Sequence, residues 1–251
     1  MIPKVIHYCW FGGKPLPWAV KKCIRSWKKY CPDYQIIQWN ESNFDVTQIE
    51  YMKQAYEAKK WAFVTDVARL LLVYEHGGIY LDTDVELIKP LDPLLEYEAY
   101  FGREGERVNT GLGFGACAGH PLVGAILDYY RNASFLDADG NCCLTPCTST
   151  NTQVLAAHGL KTENVDQMID GVRFLPREYL CPIDYTTHER NVTPNTISIH
   201  HYAMSWHSGK KRAYYQYQWF IHRIKKNPLG RMIVRLKKGI LPESLFTGKR
   251  G

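Results

Sequence analysis

Two carboxylates, two positions apart, are the residues in this chain that point most directly to chemistry. Asp82 and Asp84 follow the short apolar run of residues 79–81. On a regular strand, side chains two apart lie on the same face, so both carboxylates are expected there. Carboxylates that close repel each other unless a cation lies between them, and hard divalent ions prefer oxygen ligands. The pair therefore predicts a divalent-cation site.

A second pair of charged residues precedes this one. Asp66 and Arg69 lie three positions apart, which places them one turn apart on a helix. Opposite charges close to the edge of a sheet form either a structural ion pair or part of a functional site. Asp-Thr-Asp alone is weak evidence, since such tripeptides are common in turns. Its combination with an apolar strand, two glycines and the Asp66–Arg69 pair favours the functional interpretation.

The elements that position both pairs are predicted from residues 61–81. Apolar residues recur at helical spacing and form one face of a helix: Phe63, Val67, Leu70, Leu71 and Tyr74. Gly77 and Gly78 end this helix, because glycine takes the left-handed conformation of a C-cap without strain. Residues 79–81 form a strand, and α/β sheets usually bind ligands at the carboxyl ends of their strands.

The rest of the chain alternates between strand and helix patterns and predicts an α/β class of fold. Strands are predicted at residues 2–10, 34–39, 99–102 and 196–199, and helices at 17–30, 47–60 and 121–131. Residues 132–153 lack periodicity and are rich in Asn, Cys, Thr and Ser, so they are predicted to form a long loop.

The pattern Ala-x-x-x-Asp-x-x-Arg at residues 62–69, followed by Gly-Gly-x-Tyr-x-Asp-x-Asp at 77–84, resembles the sugar-binding region of family-32 glycosyltransferases. The resemblance covers roughly residues 2–120 and returns near 196–207. It implies a GT-A (Rossmann-like) fold, a nucleotide-sugar donor, a divalent metal at the Asp-x-Asp, and retention of configuration at the anomeric carbon.

The resemblance also implies roles for four residues. Asp84 is predicted to bind the metal, and Asp82 to contact the metal and the ribose. Asp66 and Arg69 are predicted to hold hydroxyls of the donor sugar, with Arg69 also near the diphosphate. These four form the predicted catalytic set, no residue stands out as a nucleophile, and the ligands suit Mn²⁺ or Mg²⁺ without separating them.

Two adjacent histidines are candidates for the remaining metal ligand. His200 and His201 follow the predicted strand at 196–199, and a histidine in that place is more often structural than a ligand. The family resemblance implies that one histidine here completes the metal shell. His201 fits by its spacing to Trp206, and His200 is the alternative.

Three further residues are candidates for donor binding. By position alone, Trp10 after the first strand is either a core residue, which is the favoured reading, or a platform for a nucleobase; the resemblance reverses that preference. Asn40, after the second strand, is placed either to meet the base or ribose or simply to form a turn. The resemblance implies that Asn109, in the glycine-rich run 109–115, bonds the donor sugar.

The charge of the chain is unevenly distributed. The 251 residues carry a net charge of +6, but from Ser205 onward there are twelve lysines and arginines and a single acid, Glu243. This predicts a catalytic domain at residues 1–208 and a basic amphipathic segment at 209–251. Basic residues alternating with aromatic ones suit an anionic membrane surface, and nucleic acid is not expected as a partner.

The start of the chain lacks the apolar core of a signal peptide, and no run of about 18 apolar residues exists. A cytoplasmic protein at the inner face of the plasma membrane is therefore expected. The function predicted is a retaining, metal-dependent glycosyltransferase of surface polysaccharide synthesis. It would use a UDP-sugar rather than GDP-mannose and a glycan or polyprenyl-linked oligosaccharide acceptor.

Two alternatives compete with this function. One is a non-catalytic module that binds sugar nucleotides. The other is a haloacid-dehalogenase-like phosphatase, whose motif has Thr or Val two residues after the second Asp, where this chain has Glu86.

Overall fold

A computed structural model describes residues 1–203 of the chain, apart from Thr186 and His188. The basic segment predicted at 209–251, the proposed domain boundary at 208 and Trp206 lie outside the described residues, so those predictions stay predictions. Residues 1–183 and 190–203 belong to one compact unit, and residues 184–189 to a second. Within the described part, no helix combines the length and the apolar character needed to cross a bilayer.

The helices of the described residues are α1 (Trp18–Tyr30), α2 (Glu50–Glu57), α3 (Trp61–His76), α4 (Pro121–Asn132), α5 (Cys147–Ala157) and α6 (Arg177–Leu180), with a 3₁₀ turn at Asp92–Leu94. The strands are β1 (Val5–Cys9), β2 (Gln35–Trp39), β3 (Gly78–Tyr80), β4 (Val85–Leu87), β5 (Ala99–Glu104), β6 (Arg107–Val108), β7 (Phe114–Ala116), β8 (Gln167–Ile169), β9 (Val172–Leu175) and β10 (Ser198–His200).

The main sheet is mixed and has the order β2-β1-β3-β7-β5-β9-β8, with β6 paired to β5. Strands β2, β1 and β3 are parallel, and β7 is antiparallel to both β3 and β5. A second sheet consists of the antiparallel strands β4 and β10. The carboxyl end of β3 therefore lies in the middle of the main sheet, and the chain passes directly from it towards the small sheet.

Two hydrophobic cores cover opposite faces of the main sheet. Neighbouring residues of β3 enter different cores: Tyr80 packs in the core formed with α2 to α5, and Ile79 in the core that contains the buried side of α1. Strands buried on both faces are expected to be apolar throughout, which is why β3 reads as an uninterrupted apolar run. The predicted α/β class and the position of the Asp-x-Asp motif after the carboxyl end of a central strand are confirmed.

Residues 132–153 were predicted as a loop, and this prediction is wrong for about the last third of the segment. Helix α5 begins at Cys147, and its buried face is largely polar, with Thr150, Asn151 and Thr152 inside. The hydroxyl of Thr152 accepts a hydrogen bond from the backbone N–H of Val108 at 2.9 Å. A helix that is held by hydrogen bonds on its inner face has no apolar period to reveal it.

Candidate metal and donor site

The Asp-x-Asp motif lies in a turn rather than on a strand. Strand β3 ends at Tyr80, and the backbone N–H of Val85 bonds to the carbonyl oxygen of Asp82 at 3.0 Å. The N–H of Asp82 is held by the carbonyl of Gly111 at 3.0 Å. The expectation that Asp82 and Asp84 share the face of a regular strand is therefore wrong. The turn brings the two carboxylates together by folding the backbone.

A histidine from the other sheet joins these two carboxylates. Potential ligand atoms of Asp82, Asp84 and His200 all lie within 4.8 Å of one another. Pairing of β10 with β4 sets His200 opposite Val85, the residue after Asp84. The Nε2 atom of His200 is then 3.2 Å from Oδ1 of Asp84. The cation site predicted from the two acids thus has a histidine as a third potential ligand, as the family resemblance implied.

The structure places His200, the alternative, rather than His201 beside the acids. His201 contributes its backbone N–H to the carbonyl of Asp84 at 3.0 Å, while its Nε2 lies 2.8 Å from Oε2 of Glu86. Adjacent residues at the end of a strand point to opposite sides, so only one of them can face the acids. Spacing to Trp206 could not decide between them because it ignores this alternation.

The charges of Asp82, Asp84 and His200 shift one another's pKa values. Burial raises the pKa of Asp82, against the effect of Arg69, and the nearby Asp84 raises it further. For Asp84, burial is outweighed by the charge and hydrogen bond of His200, and the pKa falls to about 2. Burial alone would lower the pKa of His200, but Asp84 raises it well above its ordinary value. A proton on His200 thus balances one of the two carboxylates.

These residues fit a divalent cation. Two carboxylates and one imidazole are the ligand types that Mn²⁺ and Mg²⁺ sites use, and they do not separate the two ions. Besides Asp84, the neighbouring Cys181 raises the pKa of His200.

Asp66 and Arg69 lie against the same carboxylate group, on helix α3. Both are buried, and their side chains form an ion pair and a hydrogen bond. The Nη1 atom of Arg69 is 3.5 Å from Oδ2 of Asp82. That distance is an ion pair but not a hydrogen bond, and Nη1 has no hydrogen-bond partner among the described residues. A buried guanidinium N–H therefore remains available next to the acids for an oxygen of a ligand.

Sequence reasoning missed Tyr80, which connects the two charged pairs. Its hydroxyl donates to Oδ1 of Asp82 at 3.1 Å, and its ring lies 5.2 Å from the guanidinium carbon of Arg69. In the sequence, Tyr80 looks like one more apolar residue of a strand. Only the alternation along β3, which sends Tyr80 to the side of α3, could have indicated its contacts.

Gly111 is the second residue that sequence reasoning missed. A Cβ atom at this position would lie 2.1 Å from Oδ2 of Asp82 and 2.6 Å from Nη1 of Arg69. The site therefore depends on the absence of a side chain here, because any other residue would displace both groups. The signal in the sequence was the glycine-rich run 109–115, which indicated close backbone approach without saying to what.

Asn109 orders this glycine loop. Its Oδ1 accepts from the N–H of Gly111 at 2.7 Å, and its Nδ2 donates to Oε2 of Glu104 at 2.7 Å. Its amide is thereby engaged in holding Gly111 next to Asp82. A contact between Asn109 and the donor sugar stays a prediction.

Trp10 and Asn40 lie at the ends of β1 and β2. The half-buried Trp10 donates its Nε1–H to the carbonyl of Lys14 at 2.5 Å. The Oδ1 of Asn40 accepts from the N–H and the hydroxyl of Ser42, at 2.8 and 2.6 Å, which is the turn-forming role that the sequence left open. Contacts of either residue with a base or ribose stay predictions.

Cys147, the first residue of α5, is a third residue that sequence reasoning missed. Its thiol lies near the carboxylate of Asp66, and the two groups shift each other's pKa. Burial raises the pKa of Cys147 well above its ordinary value, and Asp66 raises it further, so the group stays a neutral thiol. The sequence offered no signal for this, since the segment was predicted to be a loop.

Comparison with known proteins identifies the region that contains these residues. Residues 17–101 match the model of the glycosyltransferase sugar-binding region containing the DXD motif. Inositol phosphoceramide mannosyltransferase 3 of Schizosaccharomyces pombe is 33% identical over 129 residues, which are 49% of this chain and 35% of that protein. The mannosyl phosphorylinositol ceramide synthase SUR1 of Saccharomyces cerevisiae is 26% identical over 126 residues, covering 49% and 33%.

The chain thus spans about a third of the length of these curated relatives. Among solved structures, the PaToxG glycosyltransferase has a TM-score of 0.48 at 21% identity, covering 62% of this chain and 70% of that one. The family model thus matches the region on which the predicted resemblance rests, in agreement with that prediction.

Proposed function

Because the chain carries the DXD-containing sugar-binding region of the glycosyltransferases, we propose that it is a metal-dependent, retaining glycosyltransferase. It transfers a sugar from a nucleotide-sugar donor to a glycan or a lipid-linked glycan. The observation that carries this proposal is the group of Asp82, Asp84 and His200 beside the open N–H of Arg69. Carboxylate and imidazole ligands next to a guanidinium suit a diphosphate that is bound together with a cation.

Each residue of the group has a part in this proposal. Asp82, Asp84 and His200 would hold the cation, which supplies Lewis-acid stabilisation to a departing diphosphate. Arg69 offers a charged N–H to an oxygen of the donor, and Asp66 keeps that guanidinium oriented and partly neutralised. Gly111, without a side chain, lets the side chains of Asp82 and Arg69 lie against the backbone of the glycine loop.

A second part of the proposal concerns which nucleotide sugar is the donor. The sequence favours a UDP-sugar over GDP-mannose, whereas the curated relatives are named as mannosyltransferases. GDP-mannose is therefore the matched competitor in any donor screen. A thermal-shift screen of UDP- and GDP-sugars with Mn²⁺ ranks them directly, and it requires no knowledge of the acceptor.

Retention at the anomeric carbon is supported by the family resemblance alone. Asp66, the carboxylate predicted to hold hydroxyls of the donor sugar, is already paired with Arg69. We therefore assign no covalent nucleophile. An NMR measurement of the anomeric configuration of the product tests this part of the proposal.

The charge of the chain supports the proposal for the acceptor and the cellular location. Twelve lysines and arginines beyond residue 204 favour a cytoplasmic protein at the inner face of the plasma membrane. A polyprenyl-linked oligosaccharide of surface polysaccharide synthesis suits that place. Removal of residues 209–251 is expected to reduce liposome binding if this segment makes the contact.

Donor hydrolysis in the presence of Mn²⁺ tests the central proposal. We expect slow release of free sugar and nucleoside diphosphate, which stops with EDTA and returns when Mn²⁺ is added in excess. A module that only binds sugar nucleotides would give a thermal shift without hydrolysis. A phosphatase would release inorganic phosphate instead of sugar, and either outcome would remove the transferase assignment.

A further inference from the structure

Helix α1 carries a basic stripe that none of the functions above uses. Its outward residues are Trp18, Lys21, Lys22, Arg25, Lys28 and Lys29, all exposed, and the helix contains no acid. At about 100° per residue they fall within roughly a third of the helix circumference. The opposite face, with Val20, Cys23 and Trp27, is buried in the core. The orientation of the stripe is therefore fixed by packing.

Most of the basic side chains of this stripe form no ion pair with an acidic residue of the described part of the chain. Lys22 pairs with Glu86 at 3.0 Å. The side chains of Lys21, Arg25, Lys28 and Lys29 have no carboxylate partner among the described residues. Surface cations in folded proteins are usually interspersed with acids. A stripe of one sign, about 20 Å long for thirteen residues, is therefore suited to an extended anionic surface.

An exposed tryptophan marks one end of the stripe. Trp18 is 70% exposed, while Trp27 on the inner face of the same helix is completely buried. The guanidinium of Arg25 lies 5.9 Å from the Trp18 ring, and residues 15–17 before it are Pro-Leu-Pro. Tryptophan is enriched where apolar and aqueous phases meet, because its ring is apolar and its N–H is polar.

We propose that this α1 face, defined by Trp18, Lys21, Arg25, Lys28 and Lys29, docks the protein on an anionic lipid bilayer. The cations contact the headgroups, and Trp18 enters the interface between headgroups and acyl chains. Residues 205–251 of the same chain are not a suitable occupant of this face, because they carry twelve basic residues and one acid. The contact is separate from the one predicted for that segment.

The position of α1 relates this contact to the candidate site. The Nε1–H of Trp27 donates to the carbonyl of Val85 at 2.8 Å, and the hydroxyl of Ser26 accepts from the N–H of Leu87 at 2.9 Å. Strand β4 is thereby fixed to α1 directly after Asp84. The basic stripe lies on the outer face of that helix, so a bilayer held by α1 would be separated from β4, and from the turn before it, by one helix diameter (~10 Å). If the acceptor is lipid-linked, as in the proposed function, docking would bring it near that turn.

Co-sedimentation of the full chain with vesicles tests the proposal. Phosphatidylcholine vesicles with and without phosphatidylserine are compared at low and high salt. Each lysine or arginine near an anionic surface contributes about fivefold in affinity, so the variant Lys21→Gln/Arg25→Gln/Lys28→Gln should bind roughly 100-fold more weakly to the anionic vesicles. The matched control Lys59→Gln/Lys60→Gln/Lys161→Gln removes the same charge from exposed positions elsewhere and should bind almost as well as the original chain.

Trp18→Ala provides a second variant that leaves the charge unchanged. It should weaken binding by a factor that high salt does not alter, because the loss is apolar. Equal binding by the α1 variant and its control would overturn the proposal, as would equal binding of the original chain to both kinds of vesicle. Binding to a soluble polyanion such as heparin but to no vesicle would do the same. Donor hydrolysis in solution should be unchanged in all these variants, so failure here is distinct from failure of the proposed function.

Discussion

Two buried histidines on strands β1 and β10 have opposite electrostatic states. His7, on β1, is 1% exposed, and its Nε2 lies 2.9 Å from the carbonyl of Gly77, the residue before β3. Its Nδ1 lies 3.1 Å from Nε1 of Trp39. Because the indole N–H can only donate, Nδ1 accepts and the Nε2–H donates to Gly77. Burial lowers the pKa of His7 to about 4, so the ring is neutral with both nitrogens satisfied.

His200, at the end of β10, is 8% exposed, yet Asp84 raises its pKa well above the ordinary value despite its burial. Burial is therefore a poor guide to the role of a histidine. A neutral ring with both nitrogens bonded stabilises the fold, whereas a charged ring beside two carboxylates belongs to a potential cation site.

The substitution Asp84→Asn should give the largest effect, because it removes the charge on which the difference between the two histidines depends. Lewis-acid stabilisation is worth several kcal/mol, so kcat/KM for donor hydrolysis with Mn²⁺ should fall on the order of 10³-fold. Initial rates measure this. Asp139→Asn, an exposed acid in another loop, is the control and should keep full activity. Similar rates for both variants would contradict the assignment.

From the lowered pKa of His7 we predict that the free energy of unfolding falls at acidic pH, an effect that His200 does not share. The pKa of His7 is about 4 when folded against 6.5 in the unfolded chain. Protons therefore favour the unfolded state, and the contribution of His7 is present above pH 6.5 and lost as the pH falls towards 4. The loss is roughly 3 kcal/mol in the free energy of unfolding.

Urea unfolding between these pH values measures it. In His7→Gln, where the amide can still accept and donate, the fall in stability over this range should be smaller by about that amount. If the slope of stability against pH were the same in His7→Gln as in the original chain, folding would not lower the pKa of His7.

Substitution of each of the two adjacent histidines tests which of them binds the metal. His200→Gln should weaken Mn²⁺ binding by roughly 10- to 100-fold, because the imidazole faces both carboxylates. His201→Gln, which loses only the contact with Glu86, should bind Mn²⁺ almost unchanged. Electron paramagnetic resonance of free Mn²⁺ gives both affinities. The reverse order of effects would restore the spacing argument that favoured His201.

The sequence predicted the first half of the molecule better than the second, and the reason is physical. Helix α3, Gly77 and β3 follow from apolar periodicity and from a glycine at the C-cap, whose φ is 65°. Local patterns of this kind need no knowledge of distant residues. Helix α5 escaped prediction because its inner face is polar, and the choice of His200 depended on the register of β10 against β4. Contacts such as Gly111 with Asp82 come from long-range approach, which spacing cannot supply.

The smallest effect is expected from two tyrosines that are equally buried on nearby strands. Tyr80 donates its hydroxyl to Asp82, whereas the Tyr100 hydroxyl has no hydrogen-bond partner among the described residues. Tyr80→Phe should weaken donor binding about fivefold, since one hydrogen bond is worth about 1 kcal/mol. Tyr100→Phe should leave binding unchanged and be neutral or slightly stabilising, because it removes an unsatisfied polar atom. Equal effects on donor affinity, measured by calorimetry, would mean that the hydroxyl of Tyr80 does not orient the Asp82 carboxylate.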